Sequence, residues 1–184
     1  MYWCKLKQFT IIAICAVIMA CGLGCKPEIK ETGAALKYFD IKGYFNADTV
    51  RLNKLNKPVI KTVTHNGVTE TQKVKIDNWG RELDLFAAAD INRPAWKNSY
   101  TVATGDSLIL YKAKEDDLKV REIIIKSESG KVKWIVIYTR TKNILYQTTE
   151  KLSYYPDSLY LIEKDQRVRL MGRNRYMIKG VIER

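Results

Sequence analysis

The sequence predicts an α+β fold: an antiparallel curved β-sheet of about seven to nine strands in a meander, covered on one face by two helices. Three observations carry this expectation. Apolar residues recur at three- and four-residue spacing before Tyr100, whereas β-branched and aromatic runs dominate after it. Turn signals in the second half fall about six to fifteen residues apart, which leaves no room for crossover helices. An Asn66-Gly67 pair between two β-branched runs is a hairpin signal in its own right.

Taken in order, residues 26–35 (KPEIKETGAA) are polar, hold a proline and a glycine, and show no periodicity, so they read as a tether. Ile41, Tyr44, Phe45, Leu52 and Leu55 then mark an amphipathic helix, interrupted at Asp48 and ending before Pro58. Gly43 weakens it by ~1 kcal/mol. Residues 59–64 and 68–76 form the hairpin around His65-Asn66-Gly67. Asp77 is the expected N-cap of a second helix, with Trp79, Leu83, Phe86 and Asp90 on one face and Pro94 at its end. Turns are expected at 104–106, 114–117, 127–130, 141–143, 155–157, 163–166 and 172–174.

The strands between these turns are apolar on both faces. In 131–141 one face holds Val132, Trp134, Val136 and Tyr138, and the other Lys133, Ile135, Ile137 and Thr139. The same holds for Ile123-Ile124-Ile125, for 108–111 and for Ile144-Leu145-Tyr146. An antiparallel sheet with one wet face alternates cleanly, so these strands are expected to be covered twice. Helices cover one side. The other takes either closure of the sheet on its own core or a ligand-holding cavity.

Composition limits the chemistry. The net charge is +12, and the excess lies late in the chain: 16 basic against 13 acidic residues over 22–120, but 14 against 7 from Arg121 onward. Such a balance suits a solvated face beside anionic lipid or acidic glycan, and nucleic acid is not expected as a partner. His65 is the single histidine and reads as an exposed turn residue. There is no Gly-x-Ser-x-Gly elbow or phosphate loop, and Glu115-Asp116-Asp117 lacks calcium-loop spacing. No catalytic residue, metal ligand or cofactor is assigned. The candidate ligand-binding residues are Trp134, Tyr138 and Tyr146, which offer flat faces and hydroxyls, with Arg167 and Arg169 as a guanidinium pair for phosphate or carboxylate. Arg173 and Arg175 form a second such pair on the last strand.

The first residues address the chain rather than shape it. Lys5 and Lys7 precede an uncharged, largely apolar run over 9–20, too short to span a bilayer, and Ile18-Met19-Ala20-Cys21 closes it. This segment resembles the signal peptide and lipobox of bacterial lipoproteins, with Ile18 at the aliphatic position, Ala20 at the small one and Cys21 as the acylated thiol. Gly22-Leu23-Gly24-Cys25 offers Cys25 as the alternative. The resemblance implies a signal peptide over 1–20, a lipidated N-terminus and tether over 21–35, and one domain over 36–184. After Cys25 the chain has no cysteine, so the mature fold uses no internal disulfide.

Asp90-Ile91-Asn92-Arg93-Pro94-Ala95-Trp96 resembles a run in an uncharacterised family of Gram-negative envelope lipoproteins, which brings no catalytic residues with it. Together these features lead us to expect a non-catalytic binding or structural module, anchored in the outer membrane by its acylated cysteine and facing the periplasm. Its partner would be a lipid, a glycan or an envelope protein. The alternatives are a lipid or lipoprotein carrier or receptor with an apolar cavity, by analogy with the curved sheets of lipoprotein-localisation proteins, and an envelope glycan hydrolase.

Overall fold

The computed structural model describes residues 36–183. Cys21, Cys25, the signal segment and the tether lie outside the described residues. Helix α1 (Ile41–Leu55) is capped by Asp40, whose carboxylate accepts from the Gly43 N–H at 2.7 Å. Asn56 ends it in the left-handed conformation, φ 45°, which asparagine tolerates. Pro58 opens β1 (Pro58–His65), and β1 turns into β2 (Val68–Lys75) through Asn66 and Gly67, φ 50° and 91°. Both positive angles are what a two-residue hairpin turn needs, so the Asn-Gly signal was sufficient.

The second helix differs from expectation. Two four-residue helices, α2 (Trp79–Glu82) and α3 (Asp84–Ala87), replace one continuous element. Asn78, not Asp77, is the cap, and its side chain accepts from the Arg81 N–H at 3.0 Å. The chain breaks at Leu83, φ −102°. Trp79, Leu83 and Phe86 are nonetheless all buried, so the apolar spacing located the contacts but not the continuity. Asp90 is only half-buried and accepts from the Asn92 N–H. Trp96 is half-buried beneath the Arg93 guanidinium, 4.5 Å from its ring.

A 3₁₀ turn (Pro94–Trp96) leads to β3 (Tyr100–Thr104), β4 (Leu108–Ala113), β5 (Val120–Glu128), β6 (Lys131–Lys142), β7 (Tyr146–Tyr155), β8 (Leu159–Val168) and β9 (Gly172–Ile182). These and the hairpin make one nine-stranded antiparallel sheet in the order β2-β1-β9-β8-β7-β6-β5-β4-β3. The early hairpin joins the end of the meander through β1 and β9, with Val59 opposite Ile182.

Two turns fall elsewhere than predicted. Residues 163–166 continue β8, and the chain reverses at 169–171, just before Gly172, φ 82°. Polar residues stay in the strand there because they pair across it: Lys151 with Glu163 at 3.7 Å, and Lys164 with Glu150 at 3.4 Å. Conversely, Ile144 and Leu145 are not strand residues. They form the β6–β7 turn, where the Asn143 side chain accepts from the Leu145 and Tyr146 N–H groups at 2.9 and 2.8 Å.

Strand alternation divides the sheet into a face that carries Tyr154 and a face that carries Ser153. On the Tyr154 face, Ile123, Ile137, Leu152, Ile162 and Ile178 form one cross-strand row, and Ile135, Tyr154, Tyr160 and Gly180 the next. Phe45 and Phe86 meet the Tyr154 ring at 5.1 and 5.9 Å, and Trp79 meets Tyr160 edge-on at 6.0 Å. Gly180 is required where it stands: a Cβ there would sit 2.1 Å from the Tyr160 ring.

Asp48, which interrupts the apolar pattern of α1, is itself buried. It accepts from the Tyr154 hydroxyl and from Arg51 Nε, the latter at 2.7 Å. Tyr160 likewise donates to Glu82, which also meets Lys61 at 2.7 Å. Burial, and then the carboxylate partner, push both phenols well above the ordinary tyrosine range.

On the Ser153 face, burial is confined to the strand centres. Val136 and Ser153 are buried and Ile124, Leu110 and Leu161 half-buried, while Leu108 and Tyr138 are exposed. Among the described residues, no helix is long and apolar enough to cross a membrane.

Candidate functional site

The residues that bear chemistry collect at one end of the sheet. The turns β1–β2, β6–β7 and β8–β9 lie side by side there. Backbone bonds tie them together: Asn66 N–H to the Arg175 carbonyl at 3.0 Å, and Arg169 N–H to the Leu145 carbonyl at 2.9 Å. Between the turns and the strand centres, on the Ser153 face, an open depression of about 530 Å³ is lined by Thr64, Tyr138, Thr149, Lys151, Glu163, Asp165, Arg175 and Met177 among others. A second, of about 620 Å³, holds Gln147, Arg167, Gly172 and Arg173, and shares Thr149 and Asp165 with the first.

Register explains the grouping. On β7, β8 and β9 one cross-strand row reads Gln147, Arg167, Arg173, and the next reads Thr149, Asp165, Arg175, with Arg140 of β6 opposite Thr149. Asp165 stands at the centre. Its carboxylate accepts from Arg173 Nε at 2.9 Å to each oxygen and from a terminal nitrogen of the same guanidinium, with Arg175 Nε at 3.4 Å. The hydrogen bonds from Arg173, above all, hold this carboxyl below the usual aspartate range. One negative charge thus faces two guanidiniums, and Arg167 adds a third directly across from Arg173. Among the described residues, no carboxylate lies within ion-pair distance of Arg140, Lys142, Arg167 or Arg169.

This arrangement can hold an anion. Two adjacent guanidiniums, fixed by a shared carboxylate, present fork donors to phosphate or carboxylate oxygens. Tyr138 and Met177 add apolar wall beside them. Lys151 and Glu163 close the other side as a neutral pair. Among the described residues, no group of His, Cys, Asp and Glu side chains could hold a metal ion.

The predicted ligand residues are only partly brought together. Tyr138 lines the first depression and Arg167 the second. Trp134 shares the face of Tyr138 two alternations further from the turns, beyond Val136, where it is half-buried. Tyr146 is on the opposite face: Tyr138 pairs with Lys151, so every second β7 residue counted from Lys151 shares its face, and Tyr146 aligns with Tyr154 instead. Arg169 does not alternate with Arg167 along a strand, since β8 ends at Val168 and Arg169 belongs to the turn. Arg140, Thr149 and Asp165 are not among the residues expected from the sequence. Counting outward from a turn at 169–171 would have placed Asp165 opposite Arg175.

No family model, curated protein or solved structure matches this chain.

Proposed function

We propose that this chain is a membrane-anchored envelope lipoprotein, acylated at Cys21 or alternatively at Cys25, whose single domain is a non-catalytic binding module for an anionic ligand. The observation that carries the binding part is the Asp165–Arg173–Arg175 cluster, with Arg167 beside it. It holds more guanidinium than carboxylate, and the surplus faces open depressions. The anchoring part rests on the basic lead, the short apolar run and the small residue before Cys21. We further propose that the helices cover the Tyr154 face of a curved sheet. The aromatic contacts of Phe45, Phe86 and Trp79 with Tyr154 and Tyr160 support this arrangement. The location that follows is the outer membrane, with the domain on the periplasmic side.

A carrier with an apolar cavity is less well supported, because Thr149, Asp165 and the guanidiniums make the depressions polar at their shared boundary. The direct test is a titration of the full chain with inorganic phosphate, followed by NMR of the arginine Nε–H signals. Shifts at Arg173 and Arg175 that vanish in Arg173→Gln/Arg175→Gln are expected. Silent signals in the folded wild type would overturn the site.

A further inference from the structure

The turns that border the basic cluster carry large aliphatic side chains that stand mostly in solvent. Ile144 is 84 % and Leu145 67 % exposed in the β6–β7 turn; Leu170 is 94 % and Met171 80 % exposed in the β8–β9 turn. Val68, the first residue of β2 after the neighbouring β1–β2 turn, is 71 % exposed. Single exposed apolar residues are ordinary, but here adjacent turns at one end of one sheet each present them. Elsewhere Ile, Leu and Met of this domain are mostly buried or half-buried, so the concentration is local.

Charge surrounds these tips. Residues 140–147 and 166–175 contain six basic residues, Arg140, Lys142, Arg167, Arg169, Arg173 and Arg175, and no acidic one. The next turn along, β4–β5, ends the basic zone with Glu115, Asp116 and Asp117, of which Asp116 is paired with Arg121. Aliphatic points ringed by long cationic side chains match the two layers of a bilayer surface. The tips enter the acyl boundary, and the guanidiniums stay at the depth of the phosphates. A soluble polyanion would use the cations and gain nothing from five exposed aliphatic groups. A protein partner would call for a continuous apolar patch rather than separate turn tips.

From this we infer that the turn end of the sheet is a second membrane contact, which inserts Ile144, Leu145, Leu170 and Met171 into a leaflet containing anionic phospholipid while Arg167, Arg169 and Arg173 bind its phosphates. The inference rests on the anion-binding reading above and names the partner of that surface. The contact also orients the domain, with the strands standing on the leaflet and the helix end away from it.

The test uses the full chain incorporated into vesicles, with limited trypsin digestion as the readout. Cleavage after Lys142, Arg167 and Arg169 is compared with cleavage after Lys131 and Lys133, at the start of β6 beside the β5–β6 turn at the opposite end. In phosphatidylethanolamine with roughly a quarter phosphatidylglycerol, turn-end cleavage is expected to slow about tenfold relative to the control sites. High salt, or Ile144→Asp/Leu170→Asp at positions with no packing to lose, should restore it. The same variant should leave the phosphate-induced shifts at Arg173 and Arg175 intact, which separates this contact from the anion site itself. Equal cleavage at both ends in anionic vesicles would overturn the inference. Equal protection in phosphatidylethanolamine alone would overturn its anionic selectivity.

Discussion

Two stretches of the same strands teach opposite lessons. On the Tyr154 face, the row Ile137, Leu152, Ile162, Ile178 is apolar and packed; the next row toward the turns is Thr139, Glu150, Lys164, Tyr176. One alternation along the strands, roughly 7 Å, separates an apolar row from a polar one in which Thr139 is still buried. Backbone pairing is the same on both sides of that line. What differs is the packing: Phe45, Phe86 and Trp79 meet Tyr154 and Tyr160 beside the apolar row, while Glu150 in the polar row is held by Thr139 Oγ1 at 2.9 Å and by Lys164. The aromatic packing thus lies toward the helix end, so surface substitutions at the turn end are expected to cost the fold little.

This contrast can be broken on either side, and the largest effect belongs to the packed end. Phe45→Ala, at a fully buried ring between Phe86 and Tyr154, is expected to cost about 3–5 kcal/mol in denaturant unfolding. A value near zero would mean that α1 does not anchor the sheet. Tyr154→Phe keeps the ring but leaves the buried Asp48 oxygen short of a donor, so a loss of about 1.5–3 kcal/mol is expected.

The phenols also set a pH dependence whose sign is fixed. Both folded-state values lie above the ordinary tyrosine value of 10.0, so the contribution of Tyr154 and Tyr160 is complete below pH 10. It is lost as pH rises beyond that value toward their raised folded-state values. Chemical stability measured from neutral to alkaline pH should fall above about 10, and less steeply in Tyr154→Phe.

At the turn end the expected effects on stability are small and those on binding are not. Asp165→Asn removes the carboxylate shared by Arg173 and Arg175. It should change stability by less than about 1 kcal/mol, since exposed ion pairs contribute little. Phosphate affinity should rise, because the guanidiniums lose their internal competitor. Ile144→Ser should leave the unfolding midpoint within about 0.5 kcal/mol of wild type. A large loss there would show that the turn packs against something and would remove it from the membrane contact.

How far the sequence went follows from the same line. Helix α1, the Asn66-Gly67 hairpin and the meander were legible because periodicity and turn chemistry are local. The polar stretch at 163–166 was taken for a turn because Glu163, Lys164 and Asp165 look like loop residues until their partners on β7 and β9 are known. Ile144 and Leu145 misled in the other direction: apolar composition suggested a strand, whereas Asn143 closes a turn around them. Of the candidate ligand residues, Tyr138 and Arg167 reach the depressions. Tyr146 fails because face assignment depends on register across a turn, which composition does not encode. Asp165, the centre of the cluster, carries no signal except its distance from a correctly placed turn.

If one end of this sheet holds the fold and the other meets an anionic leaflet, amide hydrogen exchange of the full chain should differ between zwitterionic and anionic vesicles. Added protection is expected only in residues 140–147 and 166–175 in the anionic vesicles, with exchange in α1 and around Tyr154 and Tyr160 unchanged. Protection that appears at the helix end instead, or no difference between the two vesicles, would contradict it.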